Sequence, residues 1–291
     1  MKFTKMEGCG NDYVYVDARG QKENWPSLAR VMSDRHFGIG SDGLILLEES
    51  DSADLKMTMF NADGSEGVMC GNGIRCLVKF AIDRQIVQKN SASISVETLS
   101  GIRTVVPIIE NGFVVAARVA MGNPGLHPEE IPVIVDPDLG RIVDDAKVEY
   151  PLRIGEYELA LTFVSMGNPH AVVFLEESIN EFPLHEIGPY LEHHSMFPNG
   201  VNFEIVNIIT PGKLSARVWE RGSGETMACG TGACAIGVAA RLLDINVSDS
   251  LERIDRMTVA LPGGDLDITW DGLGEVLMEG PAVEVFNGEW N

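Results

Sequence analysis

The sequence predicts an α+β protein of two similar domains related by internal duplication, and three observations support this. Short apolar or alternating runs recur between Gly, Asp, Asn and Pro clusters along the 291 residues, which is the pattern of many strands. Helical signal is sparse, and its two strongest stretches each begin at a Cys-Gly-X-Gly turn, Cys70-Gly71-Asn72-Gly73 and Cys229-Gly230-Thr231-Gly232. Landmarks of the two halves keep nearly one offset: Cys70 and Cys229, Gly71 and Gly230, and Asn61 and Glu220 are each 159 positions apart. Phe37 and Gly40 precede Phe197 and Gly200 by 160, and Asn11 precedes Asn168 by 157. One matching Gly-rich turn is commonplace, whereas an ordered series of matches marks a duplication, here too long in period for a solenoid.

The strand readings, in chain order, include Tyr13 to Val16, Leu44 to Leu47, Ile94 to Val96, Ala171 to Phe174 and Val259 to Leu261. Helices are expected over Trp25 to His36, Gly73 to Ile86, Leu184 to His193 and Gly232 to Leu243. Pro124, Pro128, Pro132 and Pro137 lie among many acids between Gly122 and Tyr150, so a linker and an irregular loop are expected there, with the domain cut near Gly122.

Composition narrows the functional classes. A length of 291 residues with 45% hydrophobic content fills two ordinary cores. The 43 acidic residues against 22 basic ones give a formal charge of −21, which repels phosphate backbones and anionic lipid and argues against nucleic acid as a partner. The N-terminal stretch has no apolar core of a secretory signal, and no run reaches membrane-spanning length, so a cytoplasmic protein without membrane contact is expected. Five cysteines without an export signal suggest reduced thiols.

Chemistry concentrates at the paired turns. A free thiol is mostly protonated near neutral pH, and the amide dipoles of a helix N-terminus favour its thiolate. The glycines after Cys70 and Cys229 let bare backbone N–H groups approach an anion such as a substrate carboxylate. If the halves form the two walls of one cleft, one thiolate and one thiol reach a carbon from opposite sides. Removing a proton from one face and returning one to the other inverts a stereocentre, so racemisation or epimerisation is the expected reaction class. Asn11, Asn61, Asn168 and Asn202 can hold carboxylate or ammonium, Glu220 an ammonium, and Arg221 a carboxylate, with His170 as a supporting polar partner near a thiol.

Plainer readings exist for each. Cys9, Cys76 and Cys234 read as small core residues. A zinc site from Cys70 with Cys76, or Cys229 with Cys234, lacks the short spacing of structural sites. The asparagines can be turn formers, Glu220 and Arg221 a surface ion pair, and His170 a structural histidine. A phosphate cradle would carry a Gly-Lys-Ser/Thr ending that is missing here.

At these residues the chain resembles the diaminopimelate epimerases. GCGNDYVYVD from Gly8, HFGIGSDGL from His36, FNADGSEGVMCGNGIRC from Phe60, SMGNPHAVVF from Ser165, FPNGVNF from Phe197 and ERGSGETMACGTGAC from Glu220 are similar to motifs of that family. The resemblance implies cofactor-independent interconversion of LL- and meso-diaminopimelate, needing neither pyridoxal phosphate nor metal, in lysine and peptidoglycan precursor synthesis. It implies Cys70 and Cys229 as the acid–base pair, with Asn11, Asn61, Asn168, Asn202, Glu220 and Arg221 on a small amino-acid substrate and Gly71, Asn72, Gly230 and Thr231 in anion-binding turns. It further implies that each domain is a sheet wrapped around a central helix and that the final strand, 279–291, returns to a first domain of residues 1–122, leaving 123–278 as the second. A homodimer is compatible with the sequence, which gives no firm oligomeric state. The chain departs from the family where many members have Gln in place of Gly43 and Cys in place of Ala171, and its acidic stretch from Val133 to Lys147 is longer than usual. Related proline racemases and phenazine-pathway isomerases, and a non-catalytic amino-acid-binding module, are the rival readings.

Overall fold

A computed structural model describes residues 1–87, 92–245 and 255–291. The chain divides into two compact units, Met1–Ala120 with Glu279–Asn291, and Met121–Met278. Unit one runs β1 (Lys2–Gly8), β2 (Asn11–Asp17), α1 (Trp25–Ser33), β3 (Gly43–Glu48), β4 (Leu55–Asn61), β5 (Glu66–Gly67), α2 (Gly71–Asp83), β6 (Ile94–Thr98), β7 (Gly101–Glu110) and β8 (Phe113–Ala120). Unit two runs β9 (Arg141–Val143), β10 (Ala146–Val148), β11 (Tyr150–Ile154), β12 (Tyr157–Ser165), β13 (Pro169–Phe174), α3 (Leu184–Glu192), β14 (Asn202–Thr210), β15 (Lys213–Glu220), β16 (Gly224–Thr226), α4 (Gly230–Leu242), β17 (Arg256–Leu261) and β18 (Gly264–Thr269). β19 (Leu277–Pro281) carries the chain back to unit one, where β20 (Val283–Glu289) pairs antiparallel with β1.

The duplication is visible strand by strand. β1 with β2 and β12 with β13 are antiparallel. β2 with β3 and β13 with β14 are parallel, and β3 with β4 and β14 with β15 antiparallel. β4 takes β5 antiparallel and β6 parallel, and β15 takes β16 and β17 in the same two ways. β6 with β7 and β17 with β18 close each series as antiparallel pairs.

The alternation of strand side chains explains the layering in each unit. In β3, Leu44 and Leu46 join Val14, Val16, Ala29 and Met32 in a cluster on the α1 side, while Ile45 points at Gly73 of α2. In β14, Phe203 and Ile205 pack with Leu184, Ile187 and Leu191 of α3, while Glu204 points at Gly232 of α4. A strand covered on both faces reads as a continuous apolar run, which is why Leu44 to Leu47 shows no polar alternation. The long helices α2 and α4 are buried along nearly their whole length, the condition of a helix enclosed by its sheet.

Three expectations need correction. The first helix ends at Ser33 instead of His36, because the Asp34 carboxylate takes the N–H groups of His36 at 2.7 Å and Phe37 at 2.8 Å and closes a turn. The long helices start two residues earlier than read, since Cys70 and Cys229 are extended N-cap residues and the glycines after them are already helical. The segment from Gly122 to Tyr150 is also more than an irregular loop. It holds the β9–β10 hairpin, turned by Asp144 and Asp145 at φ 47 and 67, a conformation that aspartate tolerates, and it delivers Ile131 and Val133 to the core. No helix among the described residues is long and apolar enough to cross a membrane.

Candidate active site

In unit one, Cys70 caps α2. Its sulfur accepts the Gly73 N–H at 3.3 Å, and its thiol donates to Asn11 Oδ1 at 3.2 Å. Asn72 Nδ2 lies 3.4 Å from the same oxygen. The Asn11 amide is oriented from behind, because its Nδ2 donates to Asp42 Oδ2 at 2.7 Å and Arg35 holds the other oxygen of Asp42 at 2.9 Å. Arg75, fully buried one turn along α2, donates to the Gly71 carbonyl at 3.2 Å and Asn72 Oδ1 at 3.0 Å, and to the Pro281 carbonyl at 3.1 Å. Burial pushes the Cys70 thiol up. The Gly73 N–H, the Tyr13 hydroxyl, the Asn72 backbone and the charge of Arg75 all pull the other way.

Cys229 caps α4 in the same manner, its sulfur accepting the Gly232 N–H at 3.3 Å and lying 3.5 Å from Thr231 Oγ1. Asn168 Nδ2 donates to Thr231 Oγ1 at 3.3 Å, and Asn168 Oδ1 lies 3.0 Å from His170 Nε2. His170 Nδ1 meets Glu204 Oε1 at 2.7 Å, with both side chains fully buried. Burial pushes the Cys229 thiol well above its ordinary value, the Glu220 carboxylate and any negative charge on Glu204 add to this, and Thr231 and the Gly232 N–H oppose it. In both units burial raises the thiol despite the N–H donated to its sulfur at the helix start.

The glycine three residues after each cap sits in a crowded place. A Cβ at Gly73 would lie 2.5 Å from Ile45 Cδ1, and one at Gly232 would lie 2.9 Å from Glu204 Oε1 and 3.3 Å from the Cys229 sulfur.

The structure thus brings Asn11, Cys70, Gly71 and Asn72 together in unit one, and Asn168, His170, Cys229, Gly230 and Thr231 together in unit two. Asn61 is exposed and bonds to Ser65 Oγ at 2.9 Å, with no bond to the Cys70 group. Asn202 clamps its surroundings, donating to the Pro169 carbonyl at 2.8 Å and accepting the Arg221 N–H at 3.0 Å. The exposed Arg221 guanidinium donates to the Asn199 carbonyl, and the half-buried Glu220 carboxylate accepts from the Thr226 hydroxyl at 2.5 Å. Gly43 takes the place of Asn202 in unit one, and a Cβ there would lie 2.2 Å from the Phe60 carbonyl oxygen, so this register of β3 against β4 has no room for a side chain. Ala171 sits in the core of unit two.

The comparisons decide the family. The family model for diaminopimelate epimerase matches residues 3–126 and 162–285, one stretch in each half. The chain belongs to the diaminopimelate epimerase family. Curated relatives of that name from Methanococcus maripaludis and Acetivibrio thermocellus are each 49% identical over 291 residues, covering 99% of this chain and 99% and 98% of theirs. Solved structures share the fold at low identity. A Bacillus anthracis phenazine biosynthesis protein of the PhzF family aligns with a TM-score of 0.68 at 17% identity, covering 100% of this chain and 99% of its own. A probable proline racemase from Agrobacterium radiobacter aligns at 0.67 and 13%, covering 100% and 92%.

Sequence reasoning missed Arg75, Asp42 and Glu204. Two of them had a signal: Glu204 is an acid inside the apolar strand run Phe203 to Val206, and Arg75 a cation between the apolar Ile74 and Cys76, and charge is seldom buried without a partner. All five cysteines are free thiols. Among the described residues no group of three or more His, Cys, Asp or Glu is placed to hold a metal ion.

Proposed function

We propose that this protein epimerises diaminopimelate at one α-carbon by two-base proton exchange, with Cys70 and Cys229 as the acid–base pair. The observation that carries this reading is the repeated helix cap, in which a thiol, the N–H groups of a Gly-rich helix start and an asparagine recur at equivalent positions of both units. Family membership supports the substrate. One thiolate takes the α-hydrogen as a proton, the electron pair of the broken C–H bond passes into the substrate carboxylate, and the opposite thiol returns a proton to the other face. The two sulfurs end the turnover with their protonation exchanged, so no redox step or group transfer occurs.

The charge that develops on the substrate carboxylate calls for donors already in place, and the N–H groups after Cys70 and Cys229 supply them, aided by Asn72 and Thr231. Asn11, Asn61, Asn168, Asn202, Glu220 and Arg221 are assigned to the amino-acid head groups, with His170 in support. In this reading the two compact units are the functional domains, one base in each, and the product serves lysine and peptidoglycan precursor synthesis. The reaction needs neither pyridoxal phosphate nor metal, so activity should survive both hydroxylamine and chelator.

The test is replacement of each thiol. Cys70→Ala and Cys229→Ala should each lower kcat by at least about a hundredfold, the lower range for loss of one general acid or base. Full activity in either variant would refute the assignment. A substrate panel including proline separates this reading from the related racemases.

A further inference from the structure

Unit two carries a polar assembly that a two-thiol reaction does not by itself require. Glu204 is fully buried in β14 between Phe203 and Ile205, and the residue 159 positions earlier, facing the equivalent glycine, is the fully buried Ile45. A carboxyl in the place of an isoleucine is costly unless its proton and partners are arranged for it. Glu204 Oε1 is 2.7 Å from His170 Nδ1, and Glu204 Oε2 has no hydrogen-bond partner.

The hydrogen-bond directions determine where the protons lie. Asn168 spends its Nδ2 on Thr231, so its Oδ1 faces His170 and accepts; His170 therefore carries a hydrogen on Nε2. At 2.7 Å the contact between Nδ1 and Oε1 also holds a proton, because a bare nitrogen lone pair against a carboxylate oxygen would be repulsive. The pair then contains either an imidazolium with a carboxylate or a neutral imidazole with a carboxylic acid, and its net charge is zero in both forms. The unpartnered Oε2 favours the second, since an orphaned anionic oxygen costs more than an orphaned neutral one. The ionisable groups facing Glu204 are His170 on β13, Glu220 on β15 and Cys229 at the cap of α4.

We infer that His170 and Glu204 share this proton and act as the positioning pair for Cys229, fixing Asn168 so that the Thr231 hydroxyl meets the sulfur. With Asn168 donating to it, Thr231 Oγ1 is free to accept S–H from the thiol and to donate O–H to the thiolate, the change of role that a base in alternating protonation states requires. The shared proton also cancels a negative charge that would otherwise lie behind Cys229 and oppose its ionisation. The role rests on the two-thiol reading; the protonation state does not.

Two variants of the full-length protein test this, read by the pH dependence of Cys229 alkylation with iodoacetamide, followed on its peptide by mass spectrometry. Glu204→Gln keeps the net charge of a protonated pair and can donate to Nδ1, so the Cys229 midpoint should stay within about 0.3 pH unit of the parent, where a lost neighbouring charge would move it by about one unit or more. A fall of one unit or more in Glu204→Gln would show that Glu204 is ionised without a shared proton and would overturn the inference. Glu204→Ile, which copies the other half, should lower kcat at least about tenfold with KM within about twofold, and Glu204→Gln should restore most of that loss. Equal loss in both variants with unchanged melting temperature would overturn the positioning role. Failure of the two-thiol reading would appear separately, as full activity in Cys229→Ala.

Discussion

Cys70 and Cys229 cap equivalent helices, each accepting an N–H three residues on at 3.3 Å, yet their surroundings differ in charge. Behind Cys70 stand the buried Arg75 and the apolar Ile45; behind Cys229 the same two positions are Cys234 and Glu204, with Glu220 nearby. Asn11 is oriented by Asp42, half-exposed and held by Arg35, whereas Asn168 is oriented from inside the protein by His170 and Glu204. Duplication therefore reproduced the backbone geometry of the cysteine cap, and side-chain substitution behind it made the surroundings of the two thiols unlike. Burial pushes both thiols up; the charge of Arg75 offsets part of this at Cys70, and the Glu220 carboxylate adds to it at Cys229.

The largest expected effect comes from removing the cation. Arg75→Met leaves the Gly71 and Pro281 carbonyls and Asn72 Oδ1 without their donor in a buried setting, a loss of about 3 kcal/mol or more measurable by urea unfolding. The alkylation midpoint of Cys70 should rise in the same variant; an unchanged midpoint would mean that charge is not what separates the thiols. Next come the paired glycines. Gly73→Ala and Gly232→Ala should each cost about 1–3 kcal/mol by overpacking. Their symptoms should differ: the first presses on Ile45 and shows mainly in stability, the second presses on Glu204 and Cys229 and also lowers kcat.

Thr231→Val removes the hydroxyl between Asn168 and Cys229 and should reduce kcat by about tenfold, the scale of one hydrogen bond, with little change in melting temperature. A smaller effect concerns Cys76, which burial pushes up to about 12 although the charge of Arg75 and the Tyr15 hydroxyl oppose it. Below the ordinary thiol range both folded and unfolded chains keep this proton. As pH rises toward 12 only the unfolded chain loses it, so stability should fall by about 1.4 kcal/mol per pH unit on this account. Cys76→Ala should flatten that alkaline slope in denaturant titrations, and its counterpart in unit two is already Ala235.

Much of this architecture was legible in the sequence because strands buried on both faces, such as β3 and β13, leave continuous apolar runs, and because the Cys-Gly turns mark both long helices. The β9–β10 hairpin was not legible, since its turn is made by Asp144 and Asp145 within an acidic stretch that reads as loop. The sequence placed both cysteines at helix starts but began the helices at Gly73 and Gly232, because thiols are weak caps by propensity and only the extended backbone at Cys70 and Cys229 fixes them as the N-cap residues. The residues grouped around the two capping cysteines, Asn11, Asn72, Asn168 and Thr231, were marked by their motifs. Arg75 and Glu204, which lie behind the two cysteines, were hidden because a partner of each is on another element: Pro281 is distant in sequence from Arg75, and His170 from Glu204.

The central claim is that two bases act from opposite faces, and its most direct test is epimerisation of LL-diaminopimelate by the purified protein in deuterated water, stopped at low conversion. The account predicts meso product carrying one deuterium at the inverted carbon and recovered LL substrate carrying none, because the base that takes the proton is not the one that returns it. Deuterium appearing in the recovered substrate as fast as in the product would contradict it and point to a single exchanging base.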